Sequence, residues 1–410
     1  MIEALLSKMI KTGDLTAHLP GGRIIKAGDG TGPPVVMRIN ARGLRRLANP
    51  SLGLGEGYME GDIVFEQGTI SDLLAIVGES GGRKPKRGSA LTRLRKAIKR
   101  QLQQVNDRVA SRRNVAHHYD LSNDLYRRFL DADMQYSCAY FERPDMTLEE
   151  AQAAKKALIG RKLLIRPDMK TLDIGSGWGG LSMTLAKDFG ARMTGVTLST
   201  EQLALARERA EAAGLSDRID FRLTDYRDLA EPFDRIVSVG MLEHVGVPNF
   251  QTYFDTVGRL LTEDGVALIH SIGKMHGPGA TNAFTQKYIF PGGYIPGLSE
   301  IVAAIERAGL WITDIEILRL HYAETCRIWR ERFMADPDIP QMFDERFRRM
   351  WEFYLSGAEL GFRHGGHMVF QIQLAKTRDA VPLTRDYLLG VGSHTGETMG
   401  REPPLVEGQL

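Results

Sequence analysis

The chain has 410 residues, 43% of them apolar and 25% charged, and its formal net charge is only +2. That length supports two domains and a sizeable core. Its two cysteines, Cys138 and Cys326, lack metal spacing and argue against a disulfide framework or zinc site, which points to a reducing compartment. No run of about 18 apolar residues occurs, so no helical membrane span is expected.

In chain order, MIEALLSKMIKTG lacks the apolar run and cleavage site of a signal peptide and reads as a short amphipathic helix. Up to residue 80, short β-type segments alternate with glycines (GRIIKAG, PPVVMRI, and DIVFEQG after LGLGEGYMEG). The helix ISDLLAIVG closes this stretch, which predicts a small α+β domain (1–80) without a catalytic constellation. Residues 81–113 differ in composition. Twelve basic residues between Arg83 and Arg113 face one acid, Asp107, so the segment carries +11 and the remainder −9. GESGGRKPKRGS reads as a linker. LTRLRKAIKRQLQQV places Leu91, Leu94, Ile98, Leu102 and Val105 at helical spacing with cations between them. Such a helix suits an anionic membrane surface, and equally a solvated helix between domains. Nucleic acid is disfavoured, because no aromatic platform accompanies the charge.

Residues 114–395 alternate helices and strands. A strand with Leu172 and Ile174 runs into the turn Gly175, Gly177, Gly179, Gly180; a helix follows, then a strand from Met193 to Thr197. TEQLALARERAEAAG is a helix, IDFRLTDYRD a third strand, FDRIVSVGMLEHV a fourth with its loop, FQTYFDTVGRLL a helix and VALIHSI a fifth strand. EIVAAIERAG and WITDIEILRL continue the alternation, PQMFDERFRRMWEFYLSGAEL reads as one long helix, and HMVFQIQLAK as the last strand. This pattern predicts a mainly parallel α/β sheet covered on both faces. Residues 396–410 read as a loosely ordered tail.

GSGWGG is neither the dinucleotide fingerprint G-x-G-x-x-G nor a loop ending in G-K-[ST]. With Asp173 before it, it resembles the first motif of S-adenosylmethionine-dependent methyltransferases. Ligands in such sheets sit beyond the carboxyl ends of the strands. Those ends carry Asp173 with the glycine loop, then Thr197 and Leu198 with Gln202 on the next turn. Asp225 and Tyr226 follow, then Glu243 and His244, then His270, Ser271 and Ile272. Asp173 suits a ligand amine, and Asp225 and Tyr226 an adenine. Glu243 and His270 suit acid–base or anion chemistry. His244 reads as structural, since neighbours on a strand end point opposite ways.

HYDLSNDLY, QYSCAYFE, LDIGSGWGG, GVTLSTEQ, DYRD, FDRIVSVGMLEHVG and KYIFPGG together resemble the cyclopropane-fatty-acyl-phospholipid synthases and the related mycolic acid cyclopropane synthases. GEGYMEGDI in the N-terminal domain matches the phospholipid-modifying branch. The resemblance implies a Rossmann-like class I methyltransferase sheet with a small α+β N-terminal domain. It implies methyl transfer from S-adenosylmethionine to a cis double bond of an unsaturated phospholipid, then ring closure by proton loss to a bound bicarbonate ion. Cys138, Glu243, His270, Tyr322 and the backbone N–H of Ile272 would hold that anion. His270 and Tyr322 would donate to it, and Glu243 would orient it. Tyr136 and Ser137 match cofactor-contacting positions, beside Gly175, Gly177, Thr197, Gln202, Asp225 and Tyr226. No metal is implied.

The expected setting is cytoplasmic, at the inner face of an anionic membrane, with room for a homodimer. Many family members carry a cysteine, proposed as catalytic, at or beside the position of Ala358; no thiol stands there. Cys326 reads as packing, and Ser176 as a conservative exchange within the turn. Tyr140, Phe141, Tyr288, Phe290, Phe347, Met350, Trp351 and Tyr354 are candidates for an acyl tunnel, and equally for core. Alternatives are a branched product without a ring, a small-molecule N-methyltransferase, and a non-enzymatic lipid carrier. The motif set and the N-terminal domain argue against the N-methyltransferase, and the glycine loop against the carrier.

Overall fold

The computed structural model describes residues 2–49, 51–81 and 123–388. The basic segment from Arg83 to Arg113, the start of HYDLSNDLY and the tail lie outside the described residues.

The N-terminal unit is a four-stranded sheet in the order β2-β1-β3-β4. Its strands are β1 (Asp14–His18), β2 (Ile24–Gly28), β3 (Pro34–Ile39) and β4 (Ile63–Gln67), with helices α1 (Ile2–Met9), α2 (Ala41–Arg46), α3 (Gly53–Met59) and α4 (Ile70–Ser80). β1, a strand not anticipated from DLTAH, buries Leu15 and Ala17 by simple alternation. α3 is built from GLGEGYM, an unfavourable helix composition at about 1 kcal/mol per glycine. The compensation is close approach to the second domain. A Cβ at Gly55 would stand 2.5 Å from the Phe284 ring and 2.8 Å from Phe353. Tyr58 Oη donates to Glu352 Oε2 at 2.5 Å, and Glu56 Oε1 accepts from Lys287 at 2.7 Å and Tyr288 at 2.8 Å.

The second sheet has seven strands in the order β10-β11-β9-β8-β5-β6-β7. These are β5 (Lys170–Ile174), β6 (Arg192–Thr197), β7 (Ile219–Leu223), β8 (Phe233–Val239), β9 (Leu261–Lys274), β10 (Trp311–Leu318) and β11 (His367–Ala375). Only β11 opposes its neighbours, pairing antiparallel with both β9 and β10. The helices are α5 (Asn123–Phe129), α6 (Leu148–Lys162), α7 (Gly180–Phe189), α8 (Thr200–Ala212), α9 (Phe250–Leu260), α10 (Leu298–Arg307), α11 (His321–Ala335), α12 (Ile339–Met342) and α13 (Glu345–Arg363).

The long helix expected from PQM onward is broken. α12 ends at Met342, and Asp344 restarts the chain by accepting from the Phe347 N–H at 2.7 Å. α6 escapes pattern reading because its buried face holds Gln152, Lys155, Lys156 and Lys162 beside Ala151, Leu158 and Ile159. Among the described residues no helix is long and apolar enough to cross a membrane.

Candidate active site

A cleft opens at the carboxyl ends of β5, β6, β7 and β8, where side chains and turns rather than neighbouring strands take up the backbone groups. It is lined by Tyr136, Ser137, Asp173, Gly175, Gly177, Thr197, Leu198, Gln202, Asp225 and Tyr226. All the residues given a cofactor role thus stand around one space. The glycine loop turns because Gly175 and Gly177 take φ of +83° and +55°, angles that L side chains rarely adopt. Among the described residues, no atom beyond the adjoining residues lies within 4 Å of a Cβ built at Gly177, which lines the cleft.

Each wall is braced. Thr197 Oγ1 bonds Gln202 Oε1 at 2.9 Å, while Ser199 caps α8 by accepting from the Gln202 N–H. Both oxygens of Asp225 are held by Arg227, at 2.8 and 2.5 Å. Trp178 Nε1 donates to Asn123 Oδ1 at 2.8 Å, tying the glycine turn to α5. Asp133 gathers Lys156, Arg209 and Gln135 and so holds the segment that carries Tyr136 and Ser137.

Beneath this segment Lys155 is fully buried, with Nζ donating to Gln135 Oε1 at 2.6 Å and Ser137 Oγ at 2.8 Å. Burial lowers its pKa to about 8. Asp173 accepts from Ser182 Oγ at 2.8 Å; burial raises its pKa to about 6, against the pull of that hydroxyl and of Lys155.

Beside the cleft is a second, drier group. β8 stops pairing with β9 at Val239 opposite His270, so the β9 edge is open beyond that point. The turn 242–244 fills it. Glu243 Oε1 accepts from the Ile272 N–H at 2.6 Å, while Oε2 is buried and has no hydrogen-bond partner among the described residues. This corrects one expectation: the N–H assigned to an anion is engaged by Glu243 itself. Burial raises the Glu243 pKa to about 7, opposed by that same N–H. Cys138 and Tyr322 pack with Ile272 in one cluster. Burial pushes the Cys138 thiol and the Tyr322 phenol up, the latter with help from Cys138 and Glu243. His270, two residues before Ile272 on β9, is buried, and burial lowers its pKa to about 3 with help from Lys155 and Lys162. The group is therefore one of neutral donors with a single carboxyl.

His244 was missed as a site residue. It lines the cleft, and burial lowers its pKa to about 4. The alternation argument fails because residues 242–244 form a 3₁₀ turn, where successive side chains splay by about 120°. From His244 a belt of ring contacts runs through Tyr136 to Tyr322. It contacts Phe290 at 5.9 Å, Phe290 contacts Tyr354 at 6.0 Å, and Tyr354 Oη lies 3.0 Å from Tyr136 Oη. Trp329 then links Tyr136, at 5.1 Å, to Tyr322, at 5.7 Å. Of the tunnel candidates, Phe290 and Tyr354 belong to this belt. Met350 and Trp351 are buried core, and Tyr140 turns away to stack on His321.

A glycine-loop cleft at the head of this sheet order defines a class I S-adenosylmethionine-dependent methyltransferase. The profile of the family described as mycolic acid cyclopropane synthetase matches residues 106–372. Cyclopropane-fatty-acyl-phospholipid synthase of Escherichia coli (strain K12) is 39% identical over 333 residues, covering 81% of this chain and 85% of its own. Tuberculostearic acid methyltransferase UfaA1 of Mycobacterium tuberculosis is 37% identical over 380 residues, 88% of each chain. Among solved structures, mycolic acid cyclopropane synthase CmaA1 complexed with SAH and CTAB is similar with a TM-score of 0.61 and 34% identity, over 64% of this chain and 97% of that one. The chain belongs to the mycolic acid cyclopropane synthetase family.

Proposed function

We propose that this enzyme uses S-adenosylmethionine to convert a cis double bond of an unsaturated phospholipid acyl chain into a cyclopropane ring. The observation that carries the proposal is Glu243: a buried carboxyl with one oxygen bonded and the other without a partner among the described residues, beside the cleft and among neutral donors. An isolated alkene is a weak nucleophile, so alignment and exclusion of water supply much of the rate. Methylation leaves a carbocation, and closing the ring requires a proton to leave the new methyl group in a space too dry for water to trap the cation. The ring belt and the buried cluster suit that demand.

The donor set fits a bicarbonate ion. Its hydroxyl would satisfy Glu243 Oε2, and its other oxygens would face donors from His270 and Tyr322, with Cys138 packed beside them. Bicarbonate bound there would supply the base for ring closure. Cofactor contacts are assigned to Tyr136, Ser137, Asp173, Gly175, Gly177, Thr197, Leu198, Gln202, Asp225 and Tyr226. The relatives named for fatty-acyl phospholipid and tuberculostearic acid support an acyl chain as acceptor. The segment rich in arginine and lysine supports an anionic bilayer as the place where that chain is met.

The test is incubation with vesicles of unsaturated phospholipid and methyl-labelled S-adenosylmethionine, with mass spectrometry and NMR of the released acyl chains. Label in a cyclopropane methylene is expected. Label in a methyl branch overturns ring closure, and no label in lipid overturns the acceptor.

A further inference from the structure

Two fully buried lysines sit one above the other on α6, at positions 155 and 162. Lys155 serves the cofactor segment. Lys162 has entered so far only as a charge that helps to lower the His270 pKa, and its surroundings are specific. Its Nζ donates to Glu316 Oε2 on β10 and, at 2.8 Å, to Gln371 Oε1 on β11. Gln371 is wholly buried and stands directly opposite His270 across the antiparallel β9/β11 ladder, so both side chains share one face. Its Nε2 lies 3.2 Å from His270 Nδ1.

These contacts leave the chain of donors and acceptors one solution. An ammonium only donates, so the Gln371 carbonyl must face Lys162 and its NH₂ must face His270. An amide NH₂ only donates, so Nδ1 must be the acceptor nitrogen of a neutral imidazole. The ring proton is then on Nε2. We propose that Lys162 and Gln371 are positioning residues that hold His270 as the Nε2–H tautomer, so that it enters the site as a hydrogen-bond donor. This rests on the reading above, in which His270 donates to an anion. With the other tautomer, a lone pair would face that anion and repel it. Burial lowers the Lys162 pKa and Glu316 opposes that shift, favouring the ammonium; Gln373 Nε2 fixes the end of α6 by donating to the Lys162 carbonyl. The charged groups that act on His270 are Lys155 and Lys162 on α6, with Glu316 of β10 paired to Lys162; Glu243, Tyr322 and Cys138 gather around Ile272, two residues further along β9.

The experiment is ¹⁵N NMR of the full-length protein labelled at histidine, with the His270 signals assigned by their loss in His270→Asn. The expected wild-type ring is protonated at Nε2, unprotonated at Nδ1, and unchanged between pH 5 and 9. Gln371→Glu keeps the size but places an acceptor before Nδ1. The ring should then carry its proton on Nδ1 at high pH and titrate within this range. kcat should fall by about 10- to 100-fold, with a new loss as pH rises, while S-adenosylmethionine affinity is unchanged. Lys162→Arg, still a pure donor, should retain the wild-type spectrum, whereas Lys162→Met should lose the single tautomer. A wild-type ring protonated at Nδ1, or a Gln371→Glu enzyme with wild-type spectrum and pH profile, overturns the proposal. Activity in bicarbonate-free buffer separates the two readings. If turnover does not need bicarbonate while the ring is Nε2–H, the assignment of the anion falls and the positioning of His270 stands.

Discussion

Replacing Glu243 with Gln should change how stability depends on pH, by an amount set by its burial. The carboxyl moves from 4.5 to about 7 because it is buried, with the Ile272 N–H, its own backbone N–H and the Ser271 hydroxyl opposing the shift. Between these values the folded protein keeps a proton that the unfolded chain has released. The stabilising contribution is therefore complete below pH 4.5 and is lost as pH rises through about 7. At 1.36 kcal/mol per unit, the shift corresponds to about 3 kcal/mol. Gln has no such slope. Urea titrations of both proteins at a series of pH values should show the Gln variant gaining about 3 kcal/mol relative to wild type between pH 4.5 and 8. Asp173 also titrates in this window, with a pKa of about 6, but both proteins keep it and it cancels. Parallel stability curves would refute the claim that Glu243 is a shielded acid. The same pKa sets the sign of the activity profile. If the ionised carboxylate must accept a proton from the anion, ring formation should rise with pH through about 7, a limb absent from the residual activity of the Gln variant.

His270→Ala should abolish lipid product while calorimetry still reports S-adenosylmethionine binding, because His270 is assigned to the anion and not to the cofactor; lost binding would show that the roles are misplaced. Gly177→Val, at φ +55° and facing the cleft, should weaken S-adenosylmethionine binding by about tenfold or more without altering the circular dichroism spectrum. Tyr58→Phe removes the donor to the buried Glu352 Oε2 and should destabilise the protein in urea by about 1–3 kcal/mol. Neutralising Arg93, Arg95, Lys96, Lys99 and Arg100 together should weaken binding to anionic vesicles and flatten its salt dependence; unchanged binding would return this segment to a role between domains.

What could be read from the sequence divides along a physical line. The glycine loop, Thr197 with Gln202, and Asp225 with Tyr226 were legible because each is set by a few contiguous residues at a strand end. Backbone angles and capping there are local matters. The sheet was legible because apolar strands alternate with amphipathic helices. The break at Phe343 and Asp344 was not, because FDERF fits a helix, and the Asp344 cap shows itself only once the backbone has turned. His244 was lost to the assumption that the strand continued to residues 243 and 244, when it ends at Val239 and a turn follows.

The deepest omission, α6, is the most informative. A helix that buries Lys155 and Lys162 contradicts the rule by which buried helices are recognised, since charged residues are almost never fully buried unless paired. Such a conflict between local pattern and global fold is tolerated only where partners satisfy it. Here the partners lie outside the helix: Gln135 and Ser137, in the loop before it, for one lysine, and Glu316 and Gln371, far along the chain, for the other. Lys155 ends on Ser137, in the wall of the cofactor cleft, and Lys162 ends, through Gln371, on His270. Violations of local rules concentrate at functional sites. Under the roles proposed for Ser137 and His270, the helix that reads worst as a core element is the one that reaches both parts of the site, and no periodicity in its own sequence could have announced partners on β10 and β11.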